Sequence, residues 1–423
     1  MIHVCFGLHD KTGRYSKFTG TAMLSLFDNT TSEVTVHILH DNYLTEDNRN
    51  KFSRLAAKYN QLVKFYNVEE LCADKITEIR NFFPEVDKTR FSIGTFYRFF
   101  IAHILPAEVE KVIYLDADII VNLDLAELWQ IELGDKPVGA IPNLFQIKDE
   151  KASVERTEKN MEICKAGLVR PEDYFNAGVL LMNLRFMRNA DEILLNGMKF
   201  LEEHNQLQFL DQDLLNYCFS TSYLKLPVKF NRFVMLARPE NELTTGKMIY
   251  HYAGGKVGLG LDMIDPFNRL WWSYFIRTPW FNVDTIDKIL KNIERLDIAQ
   301  EESMLKLSAV PTGKTRAFVV DEENADRIER KFSVRDEEEI IIIDYESEDN
   351  LRQLIDLMNN ARDKKFFFIG TPKIASKLKK SGFAEGKEFF NVSEFYSPTW
   401  TGRTNYSPSW KSRTNNYNLI LAM

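Results

Sequence analysis

Two aspartates stand two residues apart in Tyr114-Leu115-Asp116-Ala117-Asp118-Ile119-Ile120-Val121, where an apolar run meets a loop. Residues 113–115 and 119–121 are apolar and partly β-branched, which suits an interior strand. A carboxylate is costly to bury in such a place unless it is paired or bound to a metal. Two at this spacing, with the small Ala117 between them, could grip a hard divalent cation and, through it, a diphosphate. Asp-x-Asp alone is a weak signal, because surface loops produce it by chance; the strand context gives it weight.

Three other segments carry polar residues where an apolar pattern does not ask for them. Tyr174-Phe175-Asn176-Ala177-Gly178 places an amide and small residues just before a buried strand. Leu210-Asp211-Gln212-Asp213-Leu214-Leu215-Asn216 gathers two carboxylates and an amide at a helix start. Ile249-Tyr250-His251-Tyr252-Ala253-Gly254-Gly255 sets an imidazole between a short apolar run and two glycines. An imidazole with two carboxylates suits Mn²⁺, which tolerates a nitrogen ligand better than Mg²⁺ does. Each residue alone also has a plain structural reading: Asp211 as a helix N-cap, Asn176 as a turn residue, His251 as a packed histidine.

The elements that must position these groups alternate. Residues 2–8, 34–39 and 63–66 read as strands, 18–27 and 46–58 as helices, 94–105 as a helix ending before Pro106, and 178–183 and 190–204 as a further strand and helix. Another helix is expected near Gln212 with Asp211 as its N-cap. Alternation of this kind implies an α/β fold with a largely parallel sheet covered on both faces, whose ligands bind beyond the carboxyl ends of the strands. Gly7-Leu8-His9-Asp10 and Asp116 sit at such ends. Residues 145–171 read as a helical or loop cover over the site, and the aromatic run Leu270–Phe275 as a helix closing the domain.

Near residue 305 the pattern begins again, with strands expected at 317–320, 339–343 and 365–369 and helices at 351–360 and 374–380. Gly370-Thr371-Pro372, between a strand and a helix, could offer backbone N–H groups to an anion, but one glycine falls short of a nucleotide fingerprint and packing or docking is the favoured reading. The division expected is a main domain over 1–284, a helical linker over 285–304, a small α/β domain over 305–396 and a tail over 397–423. The tail repeats Ser-Pro-x-Trp and Arg-Thr-Asn with a ten-residue period, and its two tryptophans with Arg403 and Arg413 make a candidate strip for anionic lipid, glycan or protein.

A chain of 423 residues is too long for one core, and its formal net charge of -7 gives no reason to expect nucleic acid, whose binding needs a basic stripe. Its four cysteines form no C-x-x-C pair, no apolar run reaches the ~18 residues of a membrane span, and no signal-like segment opens it. The expected location is the cytoplasm, with peripheral contact at the inner membrane face through the tail.

In this order, the four polar segments resemble glycosyltransferase family 8, retaining transferases of the GT-A fold, over about residues 1–280. The resemblance implies a mostly parallel mixed sheet flanked by helices, with the small C-terminal α/β domain left unexplained. It implies a UDP-sugar donor held by Gly7, Leu8, His9, Asp10 and Tyr15 on the uridine side, and a Mn²⁺ or Mg²⁺ ion on Asp116, Asp118 and His251, with Ala117 between the acids. Arg98 in Ser92–Arg98 would face phosphates and sugar, Asn176 and Ala177 the sugar, and Asp211 and Gln212 the underside of the ring. Gly254 and Lys256 would close on the diphosphate, though the chain lacks the Pro-Trp that often follows in the family, and its loop at residues 11–15 is longer than usual.

The implied reaction is retaining transfer of glucose or galactose to a hydroxyl of a saccharide, glycolipid or glycoprotein, with Gln212, Asp211, Arg98 and Asn176 as the catalytic set. An amide is a poor nucleophile, so front-face attack by the acceptor is expected rather than a covalent intermediate on Gln212. A UDP-sugar hydrolase or soluble-glucoside synthase, and a non-catalytic nucleotide-sugar or glycan adaptor, remain as other readings.

Overall fold

The computed structural model describes residues 1–83, 92–143, 150–203, 209–234, 246–253, 265–287, 289–291, 310, 313–321, 338–344, 347–392 and 417–419. The chain parts into two compact units, Met1–Phe281 and Asn282–Met423. The strands of the first unit are β1 (Ile2–Leu8), β2 (Val34–His40), β3 (Leu62–Asn67), β4 (Lys111–Leu115), β5 (Ile119–Val121), β6 (Val138–Pro142), β7 (Phe175–Asn183), β8 (Leu224–Lys225), β9 (Arg232–Phe233) and β10 (Ile249–His251).

Seven of them form one sheet in the order β3-β2-β1-β4-β7-β6-β8. The half from β3 to β4 is parallel, and β7 then runs antiparallel to both β4 and β6. The near-continuous apolar character of β1, β2 and β4 follows from burial on both faces of the sheet. A second sheet, β5-β10-β9, lies beyond the end of β4 and sets His251 opposite Ile119.

The helices Arg14–Asn29 and Glu46–Lys58 follow β1 and β2, the second capped by Thr45, whose side chain accepts from the Asn48 N–H. Helix Pro266–Phe275 buries Trp271, Trp272, Tyr274 and Phe275 and starts at Asp265, which accepts from the N–H groups of Phe267 and Asn268.

Two local expectations need correction. Residues 93–100 form a 3-10 helix, with an α-helical turn only at Ile101–Ile104. The run is dense in aromatics, which lose rotamer freedom in an α-helix, and it is pressed onto the end of β1: a β-carbon on Gly94 would lie 2.6 Å from Cβ of His9. The later helix begins at Leu210, with Phe209 and not Asp211 at its N-cap position. Asp213 reaches back to accept the Phe209 N–H at 3.0 Å, while Asp211 lies in the first turn with its carboxylate on Arg98.

The second unit holds β11 (Thr315–Val320), β12 (Glu339–Ile342), β13 (Lys365–Ile369), β14 (Phe389–Asn391) and β15 (Tyr417–Leu419), all parallel, in the order β14-β13-β11-β12-β15. Apolar clusters cover both faces of this sheet, one around Phe318 and Phe368, the other around Leu354 and Ile374 on helices Glu348–Asn360 and Pro372–Lys380. The Gly370 N–H, a candidate anion donor, is given to the Val319 carbonyl at 2.8 Å. The tail repeat lies outside the described residues. All four cysteines are free thiols, and among the described residues no helix is long and apolar enough to cross a membrane.

Candidate metal and donor-sugar site

Asp116 directly follows β4 and Asp118 directly precedes β5, with Ala117 in the turn between them. The Asp116 N–H donates to the Gly178 carbonyl at 2.8 Å, and the Tyr252 N–H donates to the Asp118 carbonyl at 2.9 Å. These two bonds bring β7 and the end of β10 against the paired aspartates. His251 Nε2 then lies 3.2 Å from Asp118 Oδ1 and 3.9 Å from Asp116 Oδ2. One potential ligand atom from each of the three side chains falls within 4.8 Å of the others, so the group can hold a divalent cation. Gly178 forms the cradle: a β-carbon there would lie 2.3 Å from His251 Cε1 and 2.9 Å from Asp116 Oδ2.

Arg98 is buried at the centre of the site. One terminal nitrogen, Nη2, lies 3.0 Å from both Asp116 Oδ1 and Asp211 Oδ2, and Nη1 donates to the Ala177 carbonyl at 2.7 Å. The guanidinium stands 4.5 Å over the Tyr114 ring, and the Tyr114 hydroxyl donates to Asp116 Oδ1 at 2.9 Å. Burial works against the charge on Arg98, but Asp211, Tyr114 and Asp116 outweigh it and raise its pKa.

Burial, and then the charge on Asp118, push the Asp116 carboxyl up against the opposing pull of Arg98. Burial would raise Asp118 too, but the His251 imidazole beside it holds it down. His251 in turn is raised: burial lowers it, and the Asp118 carboxylate more than reverses that.

Asn176 and Gln212 meet beside this cluster, Asn176 Nδ2 donating to Gln212 Oε1 at 2.8 Å. The Ala177 N–H donates to the same oxygen at 3.1 Å, and Gln212 Nε2 donates to the Tyr174 hydroxyl at 2.8 Å. The Tyr174 hydroxyl donates to Asp213 Oδ1 at 2.7 Å. Burial pushes the Asp213 carboxyl up to about 6.

At the end of β1, His9 Nδ1 lies 2.7 Å from Asp41 Oδ2, and its ring meets the edge of Tyr43. Gly7 and Leu8 end the strand behind it. The Asp10 carboxylate is turned inward: it accepts from the Ser16 N–H at 3.1 Å, from the Ser16 hydroxyl and from Asn48 Nδ2 at 3.1 Å, which makes it an organiser of the loop before the first helix. Tyr15 is half-exposed, and its phenol is raised by partial burial and then by the Asp118 charge, so it stands within electrostatic reach of the paired acids.

The fold thus gathers Arg98, Asp116, Ala117, Asp118, Asn176, Ala177, Asp211, Gln212 and His251 into one site. Gly7, Leu8, His9 and Asp10 lie at the end of β1, and Gly254 and Lys256 lie outside the described residues. Sequence reasoning missed Asn231, buried beside His251, and the supporting pair Tyr174 and Asp213. The available signal was a polar Asn-Arg pair between aromatics in Phe230-Asn231-Arg232-Phe233.

Comparison with known proteins fits this geometry. The family described as Glycosyl transferase family 8 matches residues 8–256. General stress protein A of Bacillus subtilis is 23% identical over 285 residues, covering 63% of this chain and 91% of that protein. Lipopolysaccharide 1,2-glucosyltransferase of Escherichia coli is 27% identical over 208 residues, covering 49% of this chain and 56% of that protein. Glycosyltransferase GlyF of Streptococcus pneumoniae is 27% identical over 219 residues, covering 50% and 49% respectively. The chain thus spans most of the first relative and about half of the other two. A crystal structure of the galactosyltransferase LgtC with donor and acceptor sugar analogues superposes with a TM-score of 0.52 at 23% identity, covering 68% of this chain and 100% of that one, a likeness of fold.

Proposed function

Because the chain belongs to glycosyltransferase family 8, enzymes that move a sugar from a nucleotide-sugar donor to an acceptor, we propose that it transfers glucose or galactose from a UDP-sugar with retention at the anomeric carbon. The observation that carries this reading is the continuity of the site: Arg98 touches both Asp116, in the cation group, and Asp211, beside Gln212. Relatives named for lipopolysaccharide glucosyl and galactosyl transfer support a hexose donor and a cell-envelope glycan or glycolipid as acceptor.

The difficult step is departure of UDP while positive charge grows on the sugar ring. Asp116, Asp118 and His251 would hold a Mn²⁺ or Mg²⁺ ion, which would supply positive charge to the departing diphosphate. His9 and Tyr15 would flank the uridine side, and Asp10 would hold their loop in place. Arg98 keeps the cation group and the sugar subsite at a fixed separation and adds positive charge between them. Asn176 and Asp211 would orient the sugar hydroxyls.

Gln212 Oε1 already accepts two hydrogen bonds, from Asn176 and the Ala177 N–H, so its lone pairs are engaged. That favours front-face attack. The acceptor oxygen bonds to the anomeric carbon as the bond from that carbon to the phosphate oxygen breaks, and the acceptor proton passes to the departing phosphate. Gln212 steadies the ring.

The test is UDP release from a panel of UDP-sugars without acceptor, in Mn²⁺ and in chelator. Slow, metal-dependent hydrolysis of one donor supports the reading and identifies the sugar. Binding of a UDP-sugar with no turnover on any acceptor would replace it with an adaptor role.

A further inference from the structure

Asn231 is fully buried immediately before β9, whose pairing with β10 sets Tyr250 opposite Arg232 and His251 opposite Phe233. Its Oδ1 lies 2.9 Å from His251 Nδ1, and its Nδ2 lies 2.8 Å from Asn176 Oδ1. Amide oxygens and nitrogens are assigned from the bonds they make, so a fixed reference is needed. Two backbone groups of β7 supply it. The Gly178 N–H can only donate, and it points at Asn176 Oδ1 at 2.9 Å. The Ala177 N–H does the same to Gln212 Oε1 at 3.1 Å.

The rest follows by polarity. Asn176 must present oxygen to Gly178 and nitrogen to Gln212. Asn231, meeting the Asn176 oxygen, must donate through Nδ2, which leaves its Oδ1 to face the imidazole. An acceptor there requires a proton on His251 Nδ1. The opposite nitrogen, Nε2, is the one that faces Asp118.

We propose that Asn231 is a positioning residue that holds His251 in the Nδ1–H tautomer, so that Nε2 offers its lone pair to the cation. The polarity is written by the backbone of β7 and is shared with the sugar side, because Asn176 and Gln212 belong to the same chain of bonds. The inference rests on the cation site described above. A histidine ligand without such a partner can turn over or take the wrong tautomer, and loss of such partners weakens metal binding by roughly 10–100-fold.

The test combines long-range ¹H–¹⁵N NMR of the imidazole with Mn²⁺ titration followed by EPR. The His251 signal is assigned by its loss in His251→Asn, and spectra are taken well above neutral pH. Wild type should show the Nδ1–H tautomer and saturable Mn²⁺ binding. Asn231→Leu should show mixed tautomers and at least roughly 10-fold weaker Mn²⁺ binding. Asn231→Asp keeps an acceptor at Nδ1 while giving up the Nδ2 bond to Asn176, and should retain the Nδ1–H tautomer.

An Nε2–H tautomer in wild type, or a folded Asn231→Leu with unchanged tautomer and affinity, would overturn the proposal. Should Asn231→Leu fail to fold, the wild-type tautomer and Asn231→Asp still decide it: loss of Nδ1–H in that variant counts against the proposal, and its retention supports it. Wild type that binds neither Mn²⁺ nor Mg²⁺ would instead remove the cation reading itself, whatever the tautomer.

Discussion

Gly178 and His251 stand so close that a β-carbon on residue 178 would lie 2.3 Å from Cε1 of the imidazole. The strand that carries Asn176 and the histidine that completes the cation group therefore share one space. Gly178→Ala should displace the imidazole from the two aspartates. Overpacking of this kind costs about 1–3 kcal/mol, and a misplaced catalytic group about 100-fold in rate. The expected outcome is a folded protein by circular dichroism with Mn²⁺ affinity and kcat/KM both reduced by about two orders of magnitude.

Arg98 is the cation between Asp116 and Asp211. Its replacement by methionine leaves two largely buried carboxylates without that partner, a change that costs roughly 3–5 kcal/mol. Arg98→Lys keeps a charge but loses the planar fork that reaches Asp116, Asp211 and the Ala177 carbonyl together. Urea unfolding should rank wild type above Arg98→Lys and Arg98→Met last. Both variants should lose turnover.

The front-face reading makes Gln212 helpful but not indispensable. Gln212→Ala should lower kcat by roughly 10²–10³, the scale of one lost electrostatic contact, and NMR of the product should still show retention. Complete loss of turnover with an intact fold would instead support a covalent step at Gln212.

Asp213 gives a signed pH dependence. Its carboxyl is raised by burial to about 6, above its usual value of 3.8. A raised carboxyl binds more protons folded than unfolded, so its contribution to stability is fully present below the ordinary pKa and is lost as pH rises through about 6. In Asp213→Asn that loss should vanish. The difference in unfolding free energy between wild type and variant should change by roughly 2–3 kcal/mol against wild type from acid to neutral pH.

The strands read at residues 2–8, 34–39 and 365–369 were legible because runs of apolar, β-branched and aromatic residues announce a buried strand, and the same residue types marked 63–66, which forms the more exposed edge of the sheet. The paired aspartates, Asn176, Gln212 and His251 stood out because each is a polar group beside such a run, whereas Arg98 was reached only through the resemblance to the family. What the residues could not disclose was partnership. Asn231 becomes intelligible only when β9 lies beside β10, and Asp213 only when Tyr174 is brought to it from β7. The 3-10 segment Ile93–Phe100 packs against the end of β1 with Gly94 close to His9, a long-range approach that local sequence does not encode. Asp10 had the right type and place for a ligand contact, yet folding turned it inward to Ser16 and Asn48.

The account stands on Asp116, Asp118 and His251 holding a cation that UDP departure needs. The most direct test strips the protein with chelator, adds back Mn²⁺, and follows UDP release from the preferred donor in wild type and Asp118→Asn side by side. The account predicts saturable recovery in wild type and none in the variant, whose circular dichroism stays unchanged. Undiminished UDP release by stripped wild type, or near-normal recovery in Asp118→Asn, would contradict it.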